Sequence, residues 1–258
     1  MLTFALRLST TIAAIALWWW GTDVLAADNP ILSNMSPLDA LAALQRVFAD
    51  GYIWGSIGVT LERLGLGLLI ATVVGLALGL LFGSLRRVEQ SASLVVQFLR
   101  MVSPLSWAPV AIVLFGVGTA PAVFLIAIAA VWPIALNTAA GIKAIDPNWR
   151  LLARSLGASR FEALRTIVIP AIRPNVLTGL RLALGVAWIV LVPAEMLGPD
   201  SGLGFEILSA RDMMDYQLLA AVMFLIGVIG FAMDWLTQAL FNLPPGDGSK
   251  GERGLAAM

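Results

Sequence analysis

The stretch IGVTLERLGLGLLIATVVGLALGLLF, residues 57–82, decides which solvent this chain folds in. A helix needs about twenty mostly apolar residues to cross the hydrocarbon core of a bilayer. Beyond Glu62 and Arg63 the stretch contains no acid or base, so it reads as a transmembrane helix. Within and just beyond it, Ala71, Gly75, Gly79 and Gly83 recur every four residues. That spacing puts small side chains in one ridge on a helix face, where a second helix can approach closely. Such a ridge speaks for a packed bundle and is silent on function.

Working outward, the same test finds further apolar windows at 2–20, 94–115, 120–142, 176–197 and 218–240, which makes an all-α, polytopic membrane bundle of about six transmembrane helices. Composition agrees: 59% of residues are apolar and 12% charged, whereas a soluble domain carries about a quarter charged. Residues 1–56 then hold the first helix and an external segment. Residues 57–242 form the core, with a cytoplasmic loop at 143–175, and residues 243–258 are a polar, glycine-rich tail expected to be flexible. The window at 2–20 also fits a cleaved signal peptide, with Arg7 ahead of the apolar run and Val24-Leu25-Ala26 before Ala27. In the external segment, Ser36 and Pro37 precede Leu38, Leu41, Leu44 and Val47, an N-capped amphipathic helix lying on the membrane or packing on the bundle.

Several function classes fall away. Net charge is zero, so nothing points to nucleic acid as a partner. The chain has neither cysteine nor histidine, which removes thiol nucleophiles, imidazole bases and the usual metal ligands. No cofactor or metal site is expected. No Gly-x-x-x-x-Gly-Lys-Ser/Thr run occurs, so ATP, if used, is bound by a partner subunit.

Orientation follows from the basic residues. With the amino terminus in the cytoplasm, Arg7, Arg86, Arg87, Arg100, Lys143, Arg150, Arg154, Arg160, Arg165, Arg173, Arg181, Lys250 and Arg253 lie inside, and Arg46, Arg63 and Arg211 outside. Positive-inside asymmetry favours that arrangement.

The loop at 143–175 is the unusual part. Asp146 is placed to N-cap a helix with Pro147 at its first position, and Gly157 to end it in the left-handed conformation. Ser159-Arg160-Phe161-Glu162 has the capping-box pattern, and the helix it opens is expected to run to Ile169 before Pro170 ends its regular hydrogen bonding. Two short helices thus meet at a corner made by Gly157 and Ala158. Read from physics alone, Arg154, Arg160 and Arg165 could simply anchor this element to lipid headgroups.

The run Ala153-Arg154-Ser155-Leu156-Gly157, with Ile167 ten residues and Pro170 thirteen residues after the glycine, resembles the cytoplasmic signature loop of binding-protein-dependent ABC importer permeases. The resemblance covers about residues 55–240 and is closest to the nitrate, sulfonate, taurine and bicarbonate branch. Ser103-Pro104-Leu105-Ser106-Trp107-Ala108-Pro109, Trp132-Pro133-Ile134-Ala135-Leu136-Asn137-Thr138, and Thr178-Gly179-Leu180-Arg181 with Ala194-Glu195-Met196-Leu197 are similar to its nitrate-type members. The resemblance implies a type I importer permease fold, inner-membrane location and a coupling helix that docks into a groove of the ATPase. On this chain that helix would use Leu151, Ala153, Arg154, Gly157, Ala158, Ser159, Arg160 and Phe161. Leu151 stands where the family has an acidic residue, and Leu152 where it has the first alanine. Implied partners are a second permease copy, ATP-binding cassette subunits and an extracytoplasmic substrate-binding protein.

Charges near the spans have two readings. Arg63 or Arg181 could offer a positive charge to a passing anion; alternatively Arg181 pairs with Asp234, and Arg63 with Glu62 or Glu195. Residues 64–82, 108–142 and 182–194 carry no charge, which argues against the rival reading of a self-sufficient carrier coupled through a midplane carboxylate. A membrane-embedded enzyme, the third class, lacks any paired catalytic groups.

Overall fold

The computed structural model describes residues 2–25, 28–146, 148–149, 155–157 and 159–241, and among them every regular element is helical. The α-helices of eight or more residues are, in chain order, α1 (Leu2–Trp19), α2 (Pro37–Asp50), α3 (Ile53–Ser84), α4 (Arg86–Met101), α5 (Ala108–Phe115), α6 (Thr119–Lys143), α7 (Ile169–Leu197), α8 (Leu203–Asp212) and α9 (Tyr216–Phe241). The tail at 243–258, with Pro147, Leu151, Ala153, Arg154 and Ala158, lies outside the described residues.

The small-residue ridge of α3 meets α6. Gly67 faces Ile126, Gly75 faces Ile134, Gly79 faces Thr138 and Gly83 faces Ile142, a constant offset of 59 residues. A methyl group added at Gly75 would stand 2.8 Å from the Ile134 Cβ, and one at Gly79 2.5 Å from the Thr138 Cβ. Both partners recur every fourth residue, so ridge lies in groove along the whole crossing. Because both numbers rise together, α3 and α6 run parallel. Residues 86–115 must therefore travel back across the bundle between them. Helix α6 is the central and most buried of the spans, from Ala122 and Ile126 through Ile134 to Ile142, as suits a helix apolar all round.

The other directions follow from contacts. Gly141 faces Asn175 and Gly179 faces Pro133 and Asn137, so α7 is antiparallel to α6; Gly230 faces Trp188 and Asp234 pairs with Arg181, so α9 is antiparallel to α7. At the carboxyl end of α1, the Trp18 ring lies 6.2 Å from that of Phe224, near the start of α9. Chain direction thus alternates through α3, the broken return at 86–115, α6, α7 and α9; α1 is not among the helices long and apolar enough to span.

Four stretches, Ile53–Ser84, Thr119–Lys143, Phe161–Leu197 and Tyr216–Ala239, are long and apolar enough to cross a membrane. The expected span at 94–115 is not one helix. It is a pair, Arg86–Met101 and Pro104–Phe115, bent by 89°. A residue before proline is pushed out of the α region, and Ser103 accordingly has φ −57° and ψ 131°, with Pro104 starting a new turn. Hydropathy averaged over the window passes straight through this corner.

Pro170 also behaves differently from expectation. Instead of ending the helix, it sits inside a helical stretch running from Phe161 to Leu197. A π-turn at Leu164–Val168 precedes it, and the Ile169 N–H donates to the Leu164 carbonyl. The wider turn shifts the ladder ahead of the proline, so the missing N–H no longer interrupts it.

Outside the spans, Ser36 caps α2 by accepting from the Asp39 N–H at 3.2 Å, and Gly51 closes it at φ 79°. Its buried face is Ala40, Ala43 and Val47, and Val47 joins a cluster with Ile53, Leu203, Val222 and Leu225. Of the two places open to it, this helix takes the bundle.

The seam makes a sharp test. Gly79→Ala overpacks a rigid contact and should cost roughly 1–3 kcal/mol, lowering the melting temperature of the detergent-purified protein. Gly65→Ala, whose methyl would meet nothing within 4 Å, should hold or raise it. The Thr138 hydroxyl is buried without a hydrogen-bond partner, so Thr138→Val should also be neutral or stabilising.

Candidate functional site

Two assemblies sit at opposite ends of the long helical stretch that includes α7. At the loop end, the Asp146 carboxylate accepts from the Asn148 N–H at 2.8 Å. The Ser159 N–H donates to Glu162 Oε2 at 2.8 Å, and the Glu162 N–H donates to Ser159 Oγ at 3.2 Å. That reciprocal pair satisfies two donors that a helix start leaves open. Gly157 has φ 72°, the left-handed conformation that costs other residues free energy. Leu156 and Phe161 on either side of the corner are 77% and 70% exposed. Two large apolar side chains are thus presented outward beside the left-handed glycine.

The loop is joined to the bundle rather than hung from it. Ile142, Ile145 and Ile172 form a buried cluster, with Ile167 and Val168 packed against them. The helical stretch from Phe161 to Leu197 has 37 residues and spans about 55 Å at 1.5 Å per residue. A bilayer core is about 30 Å thick. The first turns of this stretch therefore stand clear of the hydrocarbon.

At the far end lies Glu195, wholly buried, with Arg63 1% exposed beside it. Arg63 Nη1 donates to Glu195 Oε1 at 2.9 Å and to the Ser201 carbonyl at 2.5 Å; its Nη2 donates to Ser201 Oγ at 3.0 Å and its Nε to Thr119 Oγ1 at 3.3 Å. The Thr60 hydroxyl lies 3.0 Å from each Glu195 carboxylate oxygen and accepts from the Leu203 N–H at 2.8 Å. The Gly204 N–H donates to Glu195 Oε2 at 2.9 Å. One charge pair thus ties α3, α6, α7, the 198–202 loop and the start of α8 together. Every direction around the guanidinium is occupied by protein, so its charge is not offered to a passing anion. Glu62 is not its partner. Arg181 Nε lies 3.5 Å from Asp234 Oδ1, both side chains about half exposed.

Thr60, Ser201 and the two backbone donors at 203 and 204 were not legible from the sequence. No motif marks them, and only the fold brings them to Glu195.

Residues 71–242 match the family described as "Binding-protein-dependent transport system inner membrane component". The chain belongs to that family. The taurine transport system permease protein TauC of Escherichia coli (strain K12) is 31% identical over 235 residues, covering 89% of this chain and 85% of that one. The bicarbonate transport system permease protein CmpB of Synechococcus elongatus is 36% identical over 193 residues, 73% of this chain and 69% of its own length. Among solved structures, the inward-facing MetNI methionine ABC transporter matches with a TM-score of 0.62 at 17% identity, over 72% of this chain and 93% of that one. The fold of this permease is that of type I importers, and the chain is a multi-pass inner-membrane protein.

The buried pair yields a prediction. Glu195→Gln leaves a guanidinium buried without its counter-charge, a loss of about 3–5 kcal/mol. Arg181→Gln breaks a half-exposed pair and should cost no more than about 1 kcal/mol. Melting of the purified permease in detergent ranks the two, and a larger drop for Arg181→Gln would overturn this assignment.

Proposed function

We propose that this permease is the membrane subunit of an ATP-driven importer of a small oxyanion or organic sulfonate, of the nitrate, sulfonate, taurine or bicarbonate class. The observation that carries the coupling part is the capped corner at Gly157, flanked by exposed Leu156 and Phe161 and continuous with a helical stretch that reaches Glu195. A separate ATPase closes on ATP and displaces the corner. Because 37 residues of helix join the corner to the buried Arg63–Glu195 pair, a tilt at one end moves the other. The bundle then alternates between two packings whose balance ATP sets.

The substrate class rests on relatives named for taurine and bicarbonate, and an extracytoplasmic binding protein does most of the selecting. A second copy of the permease completes the transmembrane unit. The amino terminus and the corner lie in the cytoplasm, as the basic residues favour, and Leu151, Ala153, Arg154, Ala158, Ser159 and Arg160 share the docking surface with Gly157 and Phe161.

Uptake by the reconstituted importer should require ATP and binding protein and should persist when the proton gradient is collapsed. Flux driven by that gradient without ATP would contradict the proposal. Gly157→Val puts a β-branched residue at φ 72°, a strain of roughly 1–3 kcal/mol, in a place where a side chain meets nothing within 4 Å. The variant should therefore accumulate near normally while transport and stimulated ATPase activity fall together. Normal transport by Gly157→Val, with failure of an Arg160→Gln, Arg165→Gln double variant to assemble, would instead favour lipid anchoring.

A further inference from the structure

The corner at Ser103 leaves a space behind it. Between the α4–α5 bend and the middle of α6 and α7 lies a cavity of about 440 Å³, lined among others by Arg100, Trp107, Trp132, Asn137, Leu182 and Val186. A second cavity of about 280 Å³ adjoins it and shares Arg100 and Leu136. A third, of about 240 Å³, shares Phe82 and Glu89 with the second and reaches Arg86 and Lys143 at the loop end of the bundle. The three form a row along one side of α4, with α6 as much of the opposite wall.

Depth is given by α6. Leu136 is seven residues from Lys143, about 10 Å along the helix axis, so the Arg100 side chain, exposed on α4, meets the cavity wall about that far from the loop end. Its positive charge is uncommitted: among the described residues it has neither an ion pair nor a hydrogen bond. Arg63, Lys143, Arg181 and Arg211 each face a carboxylate, and Arg46 donates to Gln217; among the described residues, Arg100 is the only cation lining the first two cavities. An ionised group at such depth is costly unless it faces water or an ion. Asn137 has spent one of its amide donors on the Pro133 carbonyl at 2.8 Å, which turns its side chain along the wall. The indole N–H groups of Trp107 and Trp132 have no protein acceptor among the described residues. The lining is thus mostly apolar, with one free cation and two free donors, in a volume suited to a small ligand.

We infer that the cavity behind the Ser103 bend is a transit site for a small anion with a tetrahedral or planar oxygen head, and that Arg100 is the charge that receives it. The guanidinium matches a carboxylate, nitrate or sulfonate head through parallel N–H donors, and the indole faces cover an apolar or methylene part. This deepens the proposed function and rests on its anion reading. The row of cavities toward Arg86 and Lys143 supplies the way out at the loop end.

The chain has no cysteine, so a single Leu136→Cys places one thiol where both cavities meet Arg100. In the full-length chain in phosphatidylcholine vesicles, its modification by the anionic reagent 2-sulfonatoethyl methanethiosulfonate is compared with that by the cationic 2-(trimethylammonium)ethyl analogue, each divided by its rate with 2-mercaptoethanol. The anion should be preferred by about tenfold, the effect of one unpaired charge at short range in a partly excluded site. Arg100→Gln should abolish the preference, and Arg100→Lys should keep it, which separates charge from folding. Taurine or nitrate at millimolar concentration should slow the anionic reagent. Equal normalised rates in the Arg100 protein, or a preference that survives Arg100→Gln, overturn the inference. These rates do not depend on ATP or on import, so failure of the importer reading would appear only in the uptake assay and leave this result standing.

Discussion

The close contact between α3 and α6 is the constraint from which the rest follows. Glycines at 67, 75, 79 and 83 let the two backbones approach with a register that stays at 59 residues from end to end. In lipid there is little hydrophobic drive between helices, so shape at such a seam carries the association. Two parallel neighbours force the intervening chain to cross back, and that return is broken at Ser103 and Pro104 rather than helical throughout. The broken return opens the cavities along α4. Packing, topology and the row of cavities thus share one cause.

A second dependence runs along the helical stretch containing α7. Its loop end carries the glycine corner and its capping box; its far end carries Glu195 locked to Arg63, Thr60 and Gly204. Proline is usually a weak point in such a rod. Here Pro170 follows a π-turn, and Pro174 and Pro193 lie inside the continuous helix. Neighbouring helices hold the freed backbone groups in place in a membrane bundle. The result is a long helical rod that links the loop end to a buried charge pair at the other end.

What the sequence disclosed was local or periodic. The four-residue ridge was legible, because helical spacing alone puts Ala71, Gly75, Gly79 and Gly83 on one face. Its partner was not, although Ile126, Ile134, Thr138 and Ile142 repeat with the same period. The Ser159 and Glu162 box and the left-handed Gly157 were legible for the same reason, since capping acts within one turn. The bend at Ser103 was hidden by window averaging even though the serine–proline pair marks it, and the helix through Pro170 by the wider turn before it. The Arg63–Glu195 pair was one of several charge pairings the sequence allowed, but the Thr60 hydroxyl and the Gly204 N–H that complete it come from distant positions. Arg100 was read as a cytoplasmic-side charge; that the bend sets it on a cavity wall shared with Leu136 was not legible.

The central claim is that the corner at Gly157 is where a separate ATPase engages this permease. The most direct measurement is a photocrosslink from Phe161, replaced by a benzoylphenylalanine residue in the assembled importer. The account predicts a crosslink to the ATP-binding subunit whose yield changes when ATP is bound. Crosslinking to lipid alone, with no adduct to that subunit in any nucleotide state, would contradict it.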